Sequence, residues 1–227
     1  MARTIPQGFF ADNIEPIGYH DLNARPAFKL AMQEVNDHFY LYVAHLWHRG
    51  WSVIDVTDPS APELCAYVPG PENTWTIQIQ VADGKMITGL ERIAPGWGGA
   101  ENQPFAEGFF IFDVSEPTKP RQLGHFKTGS TGTHRNFYDG GNLVHAAAGA
   151  PGLTGKIYRV VDIADPADPK EVGRFSLAEQ TAPASGRKFS CHGPAHIEGD
   201  RAYLSYGDGG GIILDVSDMS QPKMISQ

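Results

Sequence analysis

One motif occurs four times along the chain: WSVIDVTDPSAP from Trp51, FFIFDVSEPTKP from Phe109, YRVVDIADPADP from Tyr158 and GIILDVSDMSQP from Gly211. Each copy places an Asp after an apolar run, an acid three residues later and a Pro seven residues after the first Asp. The sets are Asp55/Asp58/Pro62, Asp113/Glu116/Pro120, Asp162/Asp165/Pro169 and Asp215/Asp218/Pro222. A repeat of about 50 residues is too long for a helical solenoid unit and suits a four-stranded propeller blade with loop insertions.

Each unit reads as four strands. The apolar run before the motif (53–56, 109–114, 157–163 and 212–216) is one strand, and the Asp-Pro cluster after it is a tight turn. A short strand follows at 64–68, 122–126, 171–175 and 223–225. Upstream lies a hairpin whose turn is marked by Asn36-Asp37, Asp83-Gly84, Asp139-Gly140-Gly141-Asn142 or Gly199-Asp200, residues that tolerate positive φ. Candidate helices such as 165–171 hold too many Pro and Asp. The expected fold is all-β: one domain over 1–227 with four-stranded antiparallel blades at about 26–70, 71–128, 129–178 and 186–227. Four blades are near the minimum for a closed ring, so an incomplete ring, part of a longer propeller, is expected.

Charge narrows the partners. Eighteen Lys+Arg against 26 Asp+Glu leave a net charge of −8 with no basic cluster, a field that repels phosphate backbones and anionic lipid. No nucleic-acid or membrane partner is expected. No stretch reaches the roughly 20 apolar residues of a membrane span, and 1–21 lacks the pattern of a signal peptide. Two cysteines, Cys65 and Cys191, cannot build a disulfide framework, and Cys65 reads as core. The expectation is a soluble, cytoplasmic protein.

The recurring D-[VI]-[STA]-[DE]-P-x-x-P after an apolar run resembles the LVIVD-repeat β-propeller proteins over roughly Pro26 to Gln227, with Met219 replacing the first Pro in the fourth copy. The segments FYLYVAHLWHRGWSVIDV, NTWTIQIQ, GTHRNFYDGGNLVH and HGPAHIEGDRAYLSYG are similar to a longer bacterial subgroup of that family. Later segments of that subgroup carry further histidines. The selenium-binding protein and methanethiol oxidase propellers are more distantly similar. These resemblances imply metal-dependent chemistry on a small molecule, aromatic ones included.

Alternation of strand direction sorts the loops onto two rims. One holds the repetitive hairpin and Asp-Pro turns, where Asp side chains cap backbone N–H groups and Pro fixes φ. The other collects the unusual residues: 45–50, the long 91–108 loop with Trp97, then Asn73 to Trp75, Thr133 to Asn136, and Cys191, His192 and His196. Long loops in compact domains are commonly functional, which makes this rim the candidate site.

His134 and His192 stand near the start of successive innermost strands. Imidazoles converging there can bind Zn, Fe, Cu or Mn, or can simply cap turns. His196, two positions past Pro194, competes with His192 as the inward residue. His45 and His48 flank Trp47, with Glu91 in a comparable place one unit later. They read either as an acid/base or second ligand set, or as a cluster packing Trp47 and Trp51 on the next blade. Arg135 and Asn136 suit a carboxylate or enolate-like oxygen, and Trp75 and Trp97 suit an apolar substrate. Neighbouring strand residues point to opposite faces, so Cys191 and His192 do not form a dyad.

The function expected is a small-molecule site at one channel mouth of a metal-dependent oxidoreductase, lyase or hydrolase. In it His134 and His192 hold a divalent or redox metal, His48 and Glu91 move protons, and Arg135 orients the substrate among Trp75, Trp97 and Asn136. The alternative is a non-catalytic propeller serving as a protein-interaction platform, since turn geometry dictates the motifs whatever the function.

Overall fold

A computed structural model describes residue 8, residues 12–181 and residues 186–227. Sixteen strands form four antiparallel sheets, each built from four strands in chain order. The first sheet holds β1 (Lys29–Val35), β2 (His38–Ala44), β3 (Trp51–Asp55) and β4 (Glu63–Val68). The second holds β5 (Thr74–Ala82), β6 (Lys85–Arg92), β7 (Phe109–Asp113) and β8 (Arg121–Phe126). The third holds β9 (Thr133–Phe137), β10 (Leu143–Ala148), β11 (Ile157–Asp162) and β12 (Lys170–Phe175). The fourth holds β13 (His196–Glu198), β14 (Arg201–Ser205), β15 (Gly211–Asp215) and β16 (Lys223–Ser226).

The local chemistry of the turns explains this regularity. Asn36 and Asp37 (φ 53° and 63°) and Asp83 and Gly84 (φ 48° and 66°) adopt the doubly left-handed turn that matches strand twist. At the far end of the third strand of each sheet, Oδ1 of Asp55, Asp113, Asp162 and Asp215 accepts the backbone N–H two residues on, at 2.8–3.0 Å. Asp58, Asp165 and Asp218 do the same one turn later. Glu116, one methylene too long for that ring, pairs with Lys119 instead. The repeated acids are therefore turn-formers.

The core lies between the sheets. Tyr42, Trp51 and Val53 of the first sheet bury against Ile79, Met86 and Phe112 of the second. Ile87, Phe109 and Ile111 of the second meet Val144 and Val161 of the third. Tyr158 and Val160 of the third meet Leu204, Ile212 and Leu214 of the fourth. Each sheet thus packs face to face with the next in chain order, as propeller blades do.

Two features of the outer strands carry no hydrophobic signature. Every outermost strand bulges by one residue at the same position, with Cys65, Leu123, Val172 and Ile225 skipped in the register. Cys65, expected in the core, is consequently only half-buried. The residue after the bulge is Gly in the second and third sheets. A Cβ at Gly124 would stand 1.7 Å from the Pro166 carbonyl oxygen, and one at Gly173 1.9 Å from that of Met219. At these two joints the turn of the following blade therefore presses its backbone into a slot that only glycine leaves open, whereas the first sheet has Ala66 at the equivalent place. Gly18, ahead of β1, offers the same slot to Pro59 at 2.0 Å.

One buried titratable group in this scaffold sets a pH dependence. His145 on β10 is 6% exposed and its Nδ1 lies 2.8 Å from the Tyr158 hydroxyl. Burial pushes the imidazole down to about 4, while burial holds Tyr158 protonated, so the phenol donates to a neutral ring. Above pH ~6.5 the ring is neutral folded or unfolded, and it contributes no slope. Between ~6.5 and about 4 the unfolded chain takes up the proton and the folded one does not. Stability should then fall by up to ~1.4 kcal/mol per pH unit as the solution is acidified. Thermal unfolding of the wild type and His145→Phe across that range checks this. The variant should show the shallower dependence, and equal slopes would exclude the assignment.

Candidate functional site

Connections on one rim converge because they are tied to the strands they cross. The link into β9 passes over the end of β6, with Arg92 N–H donating to Thr131 O at 2.9 Å and a bridge between Glu91 and Gly132. Gly132 has φ 102°, and a Cβ there would meet Leu90 O at 2.1 Å, so the crossing requires glycine. This contact sets His134 beside Glu91. One blade on, Cys191 N–H donates to Lys156 O at 2.8 Å and His192 N–H to Ser205 O at 2.9 Å, which brings His192 to the same place.

The result is a chain of polar contacts. Lys156 Nζ lies 2.6 Å from Glu91 Oε1, Glu91 Oε2 lies 2.6 Å from His134 Nδ1, and His134 Nε2 lies 3.2 Å from His192 Nε2. Glu91 is 5% exposed. Burial alone would raise its pKa, but the hydrogen bond with His134 and the charge of Lys156 outweigh burial and hold it below the ordinary carboxylate value. Desolvation, followed by the neighbouring cationic groups, lowers His192 and favours its neutral ring. His134 thus faces the Glu91 carboxylate through Nδ1 and the second imidazole through Nε2.

This polar row edges a cavity of about 570 Å³, within the ~300–1,000 Å³ usual for small-molecule sites. Its walls are largely aromatic. Trp47, Trp75 and Trp97 form a mutual cluster with ring centroids 5.2–6.3 Å apart, and Phe28 lines the cavity beside Arg135. Trp47 and Trp97 are 47% and 65% exposed and form its mouth. The loop carrying Trp97 is stapled by Asn73, whose side chain bonds Ala100 and Gln103, and by Arg92 donating to Glu101 O.

Glu91, Trp75, Trp97, His134, Arg135 and His192 all line this one cavity. The structure places the other expected residues elsewhere. His48 is exposed in the turn after β2, outside the cavity wall, where its backbone N–H bonds His45 O at 3.0 Å. Asn136 is fully buried in β9 and does not line the cavity, so it is not a substrate contact. His45 is buried between Pro26 O and Ser52 Oγ and serves packing. His196 sits exposed on β13 opposite Tyr203, outside the cavity wall, whereas His192, also exposed, lines it. Cys191 is buried with its thiol pushed up to about 12, an unreactive group.

Sequence reasoning missed Lys156, Arg92, Phe28 and Trp47 as cavity residues. Lys156 follows Gly155 in the connection between β10 and β11, so the rim rule alone would have found it. Among the described residues no third His, Cys, Asp or Glu completes a ligand set around the histidine pair. Two Nε2 atoms 3.2 Å apart nevertheless match the spacing imposed by one shared ion: bonds of about 2.0–2.1 Å meeting at ~90–110° hold two nitrogens about 2.8–3.4 Å apart.

Face-packed four-stranded blades with a cavity at one rim define a β-propeller architecture. The family model for the LVIVD repeat matches residues 39–68, 105–128, 155–176 and 196–227, so the chain carries four LVIVD repeats. A search of curated proteins finds no significant match. Among solved structures, the N-terminal domain of Nup159 aligns at 8% identity and a TM-score of 0.49, over 85% of this chain and 46% of that one. A puromycin hydrolase mutant aligns at 12% identity and 0.47, over 86% and 28%. A thermostable family-43 glycoside hydrolase aligns at 12% and 0.46, over 88% and 72%. The chain thus spans less than half of the Nup159 domain and of the puromycin hydrolase. Among the described residues no helix is long and apolar enough to cross a membrane.

Proposed function

We propose that this rim cavity is the small-molecule site of a metal-dependent enzyme, with His134 and His192 holding a divalent or redox ion through their Nε2 atoms. The observation that carries this reading is the approach of the two Nε2 atoms to 3.2 Å, one of them backed at Nδ1 by a buried carboxylate. A carboxylate on the far nitrogen of a ligating histidine fixes its tautomer and strengthens it as a donor, the usual support of a metal site. Such an ion supplies polarisation of a substrate oxygen or activation of bound water.

The chain's own residues do the rest. Glu91 accepts the Nδ1–H of His134 and so holds that ring's orientation, while Lys156 keeps Glu91 ionised. Arg135 lies at the cavity wall with its charge directed to a bound molecule, and the tryptophans exclude water from one side. Protein freed of metal and titrated with Zn²⁺ in competition with a chelator should bind one equivalent. His134→Ala and His192→Ala should each weaken binding about a hundredfold or more, with circular dichroism confirming the fold. Wild-type protein that binds no Zn²⁺, or variants that bind it as well, would overturn the assignment.

A further inference from the structure

The charge of the cavity wall is opposite to that of the molecule. The chain carries 18 Lys+Arg against 26 Asp+Glu, yet Arg92, Arg135 and Lys156 line the cavity against Glu91 alone. Both Glu91 oxygens are already engaged, one by His134 and one by Lys156. The wall therefore offers a ligand no free carboxylate acceptor.

Donors, in contrast, stand unused. The side chain of half-buried Arg135 has no hydrogen bond or ion pair among the described residues; its guanidinium lies 5.8 Å above the Phe28 ring and feels the charge of Glu91 at longer range. A buried donor left unpaired is costly, and a guanidinium is a planar fork suited to a carboxylate. A neutral sugar would also stack on tryptophan, but its hydroxyls would find no free carboxylate to accept them and would leave the Arg135 charge unanswered. An organic cation would find the aromatic rings but meet three like charges.

We infer that the cavity binds a small planar aromatic carboxylate, its carboxylate on Arg135 and its ring among Phe28, Trp75 and Trp97. The inference rests on reading the cavity as a small-molecule site and is independent of the metal.

The test uses the whole chain in EDTA, titrated calorimetrically with benzoate and with its uncharged counterpart benzamide. Benzoate should bind at least about tenfold more tightly in the wild type. Arg135→Gln should bring the ratio near one, and Arg135→Lys should retain part of the preference. Equal binding of the two by wild type, a measurement that needs no variant, overturns the inference, as does a preference that survives Arg135→Gln. Zn²⁺ binding without a benzoate preference would sink this inference and leave the metal reading standing, and benzoate preference without Zn²⁺ binding would do the reverse.

Discussion

Arg159→Met is expected to lower the stability of the folded protein by about 3–5 kcal/mol, the cost of breaking a buried ion pair from one side. Arg159 is 4% exposed on β11. It pairs with Glu171 and donates to Thr128 O at 2.9 Å and Gly149 O at 2.8 Å. Methionine keeps the stem's packing but leaves Glu171 with half-exposed Arg174 as its remaining cation and removes the donor from both carbonyls. At roughly 2–4 °C per kcal/mol for a chain of this size, Tm should drop by roughly 10 °C. Pairing the change with Glu171→Gln should recover only a small part of the loss, since Arg174 still balances the carboxylate and the larger cost is the two carbonyls left without a donor. A drop below about 1 kcal/mol in calorimetric unfolding would show that the guanidinium is not the tie. Thr128 precedes the connection that carries Thr131 and Gly132, and Gly149 opens the one that carries Lys156. The same side chain thus anchors both loops that set the site in the third blade.

The other large effect belongs to Glu91. On the proposed reading, Glu91→Ala should weaken Zn²⁺ binding by about 10–100-fold, the range found when the carboxylate behind a histidine ligand is removed. The direct ligands remain, so this is loss of positioning. The His134 ring loses the acceptor that fixes its tautomer, and Lys156 is left with an unbalanced charge beside the site. Glu91→Gln restores an acceptor of the same reach without its charge, and its affinity should fall between those of the wild type and the alanine variant. A purely structural role predicts that Gln and Ala differ in melting temperature alone, with equal Zn²⁺ affinity once folded; that pattern would remove Glu91 from the site.

The architecture was legible because turn chemistry repeats. An Asp that caps the amide two residues on, with Pro to follow, announces each blade independently of what the blade does. The convergence of His134 and His192 followed from alternating strand direction, and Glu91 from its place at the end of β6. What escaped was set by backbone crossings rather than by residue pattern. His48 and Glu91 occupy comparable positions in the motif, yet the turn after β2 carries His48 out to solvent while β6 runs on to Arg92 and keeps Glu91 inside. Asn136 sits two residues past His134, but β9 carries it into the core. The bulge at Cys65, Leu123, Val172 and Ile225 shifts the register without altering the apolar pattern, so no periodicity reveals it.

The glycine slot in the outer strands bears on how such a molecule diversifies. Gly124 and Gly173 receive the carbonyls of Pro166 and Met219 in the same way, and Gly18 receives that of Pro59. The joint between neighbours is therefore a standard coupling, made from main chain and indifferent to the side chains at the opposite edge. Modules joined this way can be duplicated, exchanged or reshaped at their loop ends while the seam stays constant, which leaves chemistry and assembly free to evolve separately.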